Sequence, residues 1–85
     1  MEKQIKCILL DVDNVLISEI VEVDAEIGEP NCKLTNPYIF NSVDDMKPWK
    51  QDVTNQNVFM VRAEDILTIA DPTGTVIDKY IELTS

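Results

Sequence analysis

An 85-residue chain has room for one small domain, and a domain of this length buries only about 60% of its extended-chain surface. Hydrophobic residues make up 45% of it, enough for a core and for a subunit interface, which is how small chains commonly add buried area. Acidic residues outnumber basic ones 16 to 7 for a formal charge of −9, a field that opposes non-specific contact with nucleic acid or anionic membranes. Histidine is absent, which removes the usual general base and the commonest transition-metal ligand.

No apolar run approaches membrane-spanning length, and the N-terminus turns acidic with no small-residue cleavage site. Cys7 and Cys32 make no disulfide framework, and Cys7 within an aliphatic run reads as a buried free thiol. These features predict a cytoplasmic protein.

In chain order, residues 5–10 read as a short strand with both faces mostly apolar. Asp11-Val12-Asp13-Asn14 follows, rich in side chains that bond their own backbone in turns. Apolar residues at odd positions from Val15 to Ile27 predict a long, bent strand over 15–27 with one buried face. Gly28-Glu29-Pro30-Asn31 is a turn, and residues 32–40 resume as a strand, placed at an edge or bulged at Pro37, which has no N–H for a ladder. Tyr38 and Phe40 read as core.

Residues 41–56 are polar and read as a long loop carrying Pro48-Trp49. Strands are expected at 58–61 and 66–69, joined by a tight connection. Asp71-Pro72 announces a helix over 72–83, with Asp71 as N-cap and Pro72 first in the helix. Val76, Ile77, Tyr80 and Ile81 would pack that helix onto the sheet. The expectation is a mainly β domain: a small, strongly bent, open five-stranded barrel with one C-terminal helix.

Two catalytic patterns call for testing. Asp11-Val12-Asp13 after an aliphatic strand resembles the nucleophile motif of haloacid-dehalogenase phosphatases. That chemistry also needs a magnesium site, a phosphate-holding hydroxyl and lysine, and a large α/β scaffold. Here the first strand leads into another strand, and Asp44-Asp45 lie in a polar loop, so a hairpin turn is the simpler reading. Asp11, Asp13 and Glu22 fall at the first, third and twelfth positions of a calcium loop, but Leu16 stands where its glycine must be. No catalytic residues, cofactor or metal site are predicted, and the chain is read as non-enzymatic.

"NVFMVRAEDILTIA" resembles the second motif of the Sm/Lsm/Hfq proteins, with Val61-Arg62-Ala63-Glu64-Asp65-Ile66 preceding Leu67-Thr68-Ile69. "LLDVDNVLISEIVEVDAE" can be laid on the first Sm motif, with Asp24 at its aspartate. The chain also resembles short, uncharacterised Sm-like proteins of marine cyanophages, through Leu16 to Val21, Leu34 to Pro37, Trp49, and Pro72 to Tyr80. Ala63 stands where the motif has glycine, Asp65 where it has asparagine, and Ser18 where the bent strand has a small glycine. The helix is C-terminal here, whereas most Sm proteins begin with one.

The resemblance implies a homo-oligomeric ring in which the strand at 58–61 pairs with the strand at 66–69 of the next subunit, hiding both edges. It implies binding of single-stranded RNA or DNA in phage nucleic-acid processing, with Arg62 and Asp65 lining a pore. Arg62 could hold a base or phosphate, or be consumed in a salt bridge with Glu64, Asp65 or a neighbour. Lys47-Pro48-Trp49-Lys50 interleaves basic residues with an aromatic and is the second candidate contact, against a structural role for Trp49. The competing class is a ring-forming assembly module without nucleic-acid binding. The acidic face from Glu19 to Glu29 reads as solvated, with a weak divalent-cation site as the sharper alternative.

Overall fold

A computed structural model of the protein describes residues 4–85. It contains strands β1 (Ile5–Leu9), β2 (Val15–Glu22), β3 (Cys32–Ser42), β4 (Asp45–Pro48), β5 (Val58–Val61) and β6 (Thr68–Ala70). A single-turn 3-10 helix (Ala63–Asp65) joins the last two strands, and helix α1 (Gly74–Thr84) closes the chain. The strands form one open antiparallel sheet in the order β4-β3-β2-β1-β6. β5 also pairs with β3, which therefore carries two strands end to end on one edge: β5 along 32–35 and β4 along 38–42.

Six strands replace the expected five. The segment 41–56 is not one long loop, because Asp45–Pro48 folds back on β3 as a hairpin. Met46 is its single buried side chain, too little apolar signal to stand out in sequence. β2 stops at Glu22 rather than reaching Ile27, which is fully exposed. Nor does β2 bury one face: Leu16 and Ile17 are both buried, on opposite sides of the sheet, while Val21 is exposed. β3 runs on to Ser42, and the last strand is Thr68–Ala70 rather than 66–69, with Ile66 packing into the core from the coil before it.

The sheet is covered on both sides. On one, Ile17, Met46, Val76 and Tyr80 pack together, flanked by Ile5, Cys7, Tyr38, Phe40 and Val43, so α1 seals this face. On the other, Ile8, Leu16 and Leu34 are fully buried beneath Leu10, Ile20, Ile39, Trp49, Phe59, Val61 and Ile66. The regular pairing of β2 with β3 is broken at one point. Ile17 pairs with Tyr38 but Glu19 pairs with Thr35, so Asn36 and Pro37 together oppose Ser18. This is a β-bulge, with Asn36 at φ 53, in the left-handed region that asparagine tolerates better than most residues. The extra residue reverses side-chain parity, so Leu34 and Ile39 reach the same face although five positions apart. Bulging at Pro37 matches the expectation from sequence.

Ser18 is fully buried opposite the bulge, and its hydroxyl lies within hydrogen-bond distance of the carbonyls of Glu19 (2.9 Å) and Thr35 (3.1 Å). Tyr80 supports the same bulge from the helix side, its hydroxyl donating to Asn36 O (2.8 Å) and Thr35 O (3.1 Å). Helix α1 begins two residues later than expected, at Gly74, and its N-cap is Thr73, whose hydroxyl accepts from the Val76 N–H. Asp71 instead pairs with Lys6 across the β1–β6 edge. No helix among the described residues is long and apolar enough to cross a membrane.

Candidate functional site

The two groups of candidate residues sit at different places along β3. Arg62 follows β5 and enters the 3-10 turn, near the Cys32 end of β3. Its guanidinium forks onto Asp65, with Nε 2.8 Å from Oδ2 and Nη2 3.2 Å from Oδ1. Glu64 Oε1 lies 3.7 Å from Nη1. The Asp65 carboxylate, first by hydrogen bonding and then by its charge, raises the Arg62 pKa above its ordinary value, with Glu64 adding to it. The turn is fastened by Asn31 Oδ1, which accepts from the Ala63 N–H at 2.8 Å. A shallow cleft beside it is lined by Glu26, Glu29, Asn31, Ala63 and Glu64. Asp65, an acceptor only, thus occupies Arg62 from within the same turn. The salt bridge expected for this arginine is formed, with both Asp65 and Glu64.

Lys47, Trp49 and Lys50 form the second group, at the end of β4 and the turn after it. The segment between β4 and β5 departs from β3 and returns to it at the bulge. Trp49 N–H donates to Pro37 O (2.8 Å), and Asn36 N–H donates to Asn57 O (2.7 Å). Both ends of this loop are therefore pinned to the bulged residues. Between them, Lys50 O accepts from Val53 N–H and Thr54 N–H, and Thr54 Oγ1 accepts from Gln56 N–H. Lys50 itself sits at φ 61. A lysine gains nothing from this left-handed geometry, which costs roughly 1–2 kcal/mol for ordinary L-residues.

The loop encloses a cleft of about 320 Å³ above the bulge. Asn36, Gln51, Thr54, Asn55, Gln56 and Asn57 supply its polar lining, and Pro37, Tyr38, Pro48 and Trp49 its apolar walls. No charged side chain of the described residues lines it. Gln56 is committed to the Val58 carbonyl, while no side chain of the described residues bonds the carboxamides of Gln51, Asn55 or Asn57. On the far side of Pro48 a second depression is lined by Ile39, Lys47, Lys50, Gln51 and Asp52. No ion pair engages Lys47 or Lys50 among the described residues.

Trp49 is half-buried and packs against Phe59, ring centroids 5.1 Å apart at 61°, an edge contact worth about 0.5–1.5 kcal/mol beyond its buried area. Lys50 Nζ lies 5.9 Å from the indole centroid, an exposed cation–π contact of about 0.5–1 kcal/mol. Trp49 is thus both core cover and cleft wall. The composition Lys-Pro-Trp-Lys pointed to it in sequence, but the carboxamides of 51–57 carried no signal by themselves.

Asp11 is occupied in its own turn. Oδ1 accepts from the N–H groups of Asp13 (2.8 Å) and Asn14 (2.9 Å), and the Asn14 amide bridges both carboxylate oxygens. The Asn14 side chain and then the Asp13 N–H hold this carboxyl below the ordinary range. Burial raises the thiol pKa of Cys7 and of Cys32, which are both free; Cys32 is buried and Cys7 only partly so. No group of three or more potential metal ligands occurs among the described residues.

No curated protein matches this chain. A family model described as "Family of unknown function (DUF6561)" matches residues 3–85, so the chain belongs to that family.

Proposed function

We propose that the protein is a non-enzymatic, Sm-like subunit that assembles with copies of itself into a closed ring through its two end strands. The observation that carries this is the state of those strands. Among the described residues β5 pairs only with β3 and β6 only with β1, so each leaves one edge without a strand partner there. Around them Met60, Leu67 and Ile69 are exposed, and the three residues of β6 are exposed throughout. The uncharged, apolar edges of β5 and β6 lie on opposite sides of one sheet and are complementary to those of a second copy, and a head-to-tail contact of that kind either closes a ring or propagates. Mass measurement in solution tests it. The native protein should be oligomeric, and Ile69→Glu should yield monomers with unchanged circular dichroism. A wild-type monomer at micromolar concentration would refute it.

Single-stranded nucleic-acid binding is the second reading, and one observation favours it: Lys47 and Lys50, in no ion pair among the described residues, flank a tryptophan at the mouth of a carboxamide-lined cleft. Arg62, occupied by Asp65, contributes to the turn rather than to the ligand. Titration of short oligonucleotides at low salt tests this reading, with no binding as the outcome that rejects it.

A further inference from the structure

We infer that the cleft over the β3 bulge is a nucleotide subsite, in which the carboxamides of Gln51, Asn55 and Asn57 take a base edge, Trp49 takes its face, and Lys47 and Lys50 take the adjoining phosphate. The inference deepens the nucleic-acid reading above and rests on it.

The chemistry of the lining selects the class of ligand. A carboxamide presents a donor pair and an acceptor side by side, which matches the mixed donor and acceptor edge of an unpaired base. Among the lining amides, those of Gln51, Asn55 and Asn57 bond no group of the described chain. An indole in the same wall offers the stacking surface that every base can use. The volume of about 320 Å³ lies at the small end of ligand pockets, suited to one nucleotide rather than a folded partner. A neutral base cleft alone would fit a nucleoside. The second depression adds phosphate, because it shares Pro48 and Gln51 with the first and presents Lys47 and Lys50, with Asp52 offsetting one of the two charges.

The backbone supports a built site. Among the described residues, the positive-φ positions other than glycine are Asn36 and Lys50, one on each depression. Both loop ends are hydrogen-bonded to the bulge, and Tyr80 holds the bulge from below. Both ends of the cleft wall are therefore anchored to the sheet. Lys50 lies beside the indole and is exposed, so it can lift from the ring as a base stacks.

Trp49 is the sole tryptophan, which makes the site directly readable. The full-length protein is titrated with single-stranded RNA and DNA oligomers of about eight nucleotides, a length within the usual site size, by Trp49 emission and by fluorescence anisotropy of a labelled oligomer. Binding should quench Trp49. Its affinity should fall with salt at a logarithmic slope of about −0.7, as one phosphate contact on a single strand requires. Lys47→Gln with Lys50→Gln should bring that slope close to zero, and Asn57→Ala should weaken binding roughly 2- to 10-fold, the loss of one hydrogen bond. Arg62→Ala should leave affinity unchanged. If the oligomers bind by anisotropy while Trp49 emission and the double lysine variant's salt slope stay as in the unperturbed protein, the subsite is refuted and the nucleic-acid reading stands. If no oligomer binds by either readout at low salt, both fall.

Discussion

Replacing Tyr80 by phenylalanine isolates what one hydroxyl does for this fold. Tyr80 is 1% exposed, and its hydroxyl donates to Asn36 O, in the bulge of β3, and to Thr35 O just before it. Phenylalanine keeps the ring, its edge contact with Tyr38 (5.7 Å, 80°) and its packing on Ile17, Met46 and Val76, so no cavity opens. What is lost is one donor shared by two partly buried carbonyls. A hydrogen bond contributes about 0.5–1.5 kcal/mol, and an acceptor left unsatisfied costs about 1–3 kcal/mol. The expected destabilisation is therefore about 1–3 kcal/mol, and a domain this small loses roughly 4–8 °C of Tm per kcal/mol. Burial, the largest cause, pushes the Tyr80 pKa up to about 12 from 10.0. A folded-state pKa above the unfolded one stabilises fully below pH 10 and is lost as pH rises towards 12. About two units at about 1.36 kcal/mol each make that loss roughly 2–3 kcal/mol. Urea unfolding of both proteins at pH 8 and across pH 10–12 measures each quantity. Wild type should lose stability steeply above pH 10, and Tyr80→Phe should lack that component. A variant within 0.5 kcal/mol of wild type at pH 8, or one with the same alkaline loss, would refute the role given to the hydroxyl.

Lys50→Gly should raise stability by several tenths to about 1 kcal/mol by thermal melting, because glycine relieves φ 61, although its extra unfolded freedom offsets part of the gain. Ser18→Leu should prevent folding, as judged by chemical-shift dispersion, since the site opposite the bulge is fully buried, whereas Ser18→Ala should fold and lose about 1 kcal/mol. Asp11→Ala should lower Tm, and Asp11→Asn should recover part of the loss by accepting the same N–H bonds. In the wild type the contribution of Asp11 is present above the ordinary carboxylate pKa of 3.8 and declines as pH falls through its lowered folded value, which acid melting curves of wild type and variant can compare.

How far the sequence revealed this protein depended on whether a signal was local. Turn chemistry was local: Asp11 to Asn14, Gly28 to Asn31 and the Pro37 irregularity each lie where a side chain or a missing N–H dictates them. The helix was read from its spacing, but its cap was misplaced by two residues because Asp71 found a partner in Lys6, far along the chain. Leu16 is apolar at an even position, against the alternation of its strand, because a sheet covered on both sides has no polar face there. β4 was invisible for a related reason: a four-residue edge strand with one buried side chain draws its stability from β3, not from its own pattern. At the site, the lysines and tryptophan stood out by composition. The carboxamides converge only because the loop is tied at both ends to a bulge, and no short window of sequence contains that closure.

A net charge of −9 opposes phosphate at the surface as a whole, but the charge is not evenly spread. The 3-10 turn with Glu64 and Asp65, and the cleft lined by Glu26 and Glu29, gather where β3 begins, beside Asn31. The loop that carries Trp49 is tied to Pro37, and β4 runs from there to the far end of β3. Six residue steps, interrupted by the bulge at Asn36, lead from Asn31 to Pro37, at most about 20 Å at roughly 3.3 Å per step. At physiological ionic strength exposed charges are screened over about 8 Å, so carboxylates at that distance scarcely act on Lys47 and Lys50. The nearer acids matter more, and of these only Asp52 lines the lysine depression. Arg62 is the opposite case, a cation set among the carboxylates of its own turn. The salt dependence of oligonucleotide binding thus separates the two ends: a local slope carried by Lys47 and Lys50 would persist unchanged in Glu64→Gln, whereas long-range repulsion by the whole charge would ease in that variant as much as in any other carboxylate-to-amide change.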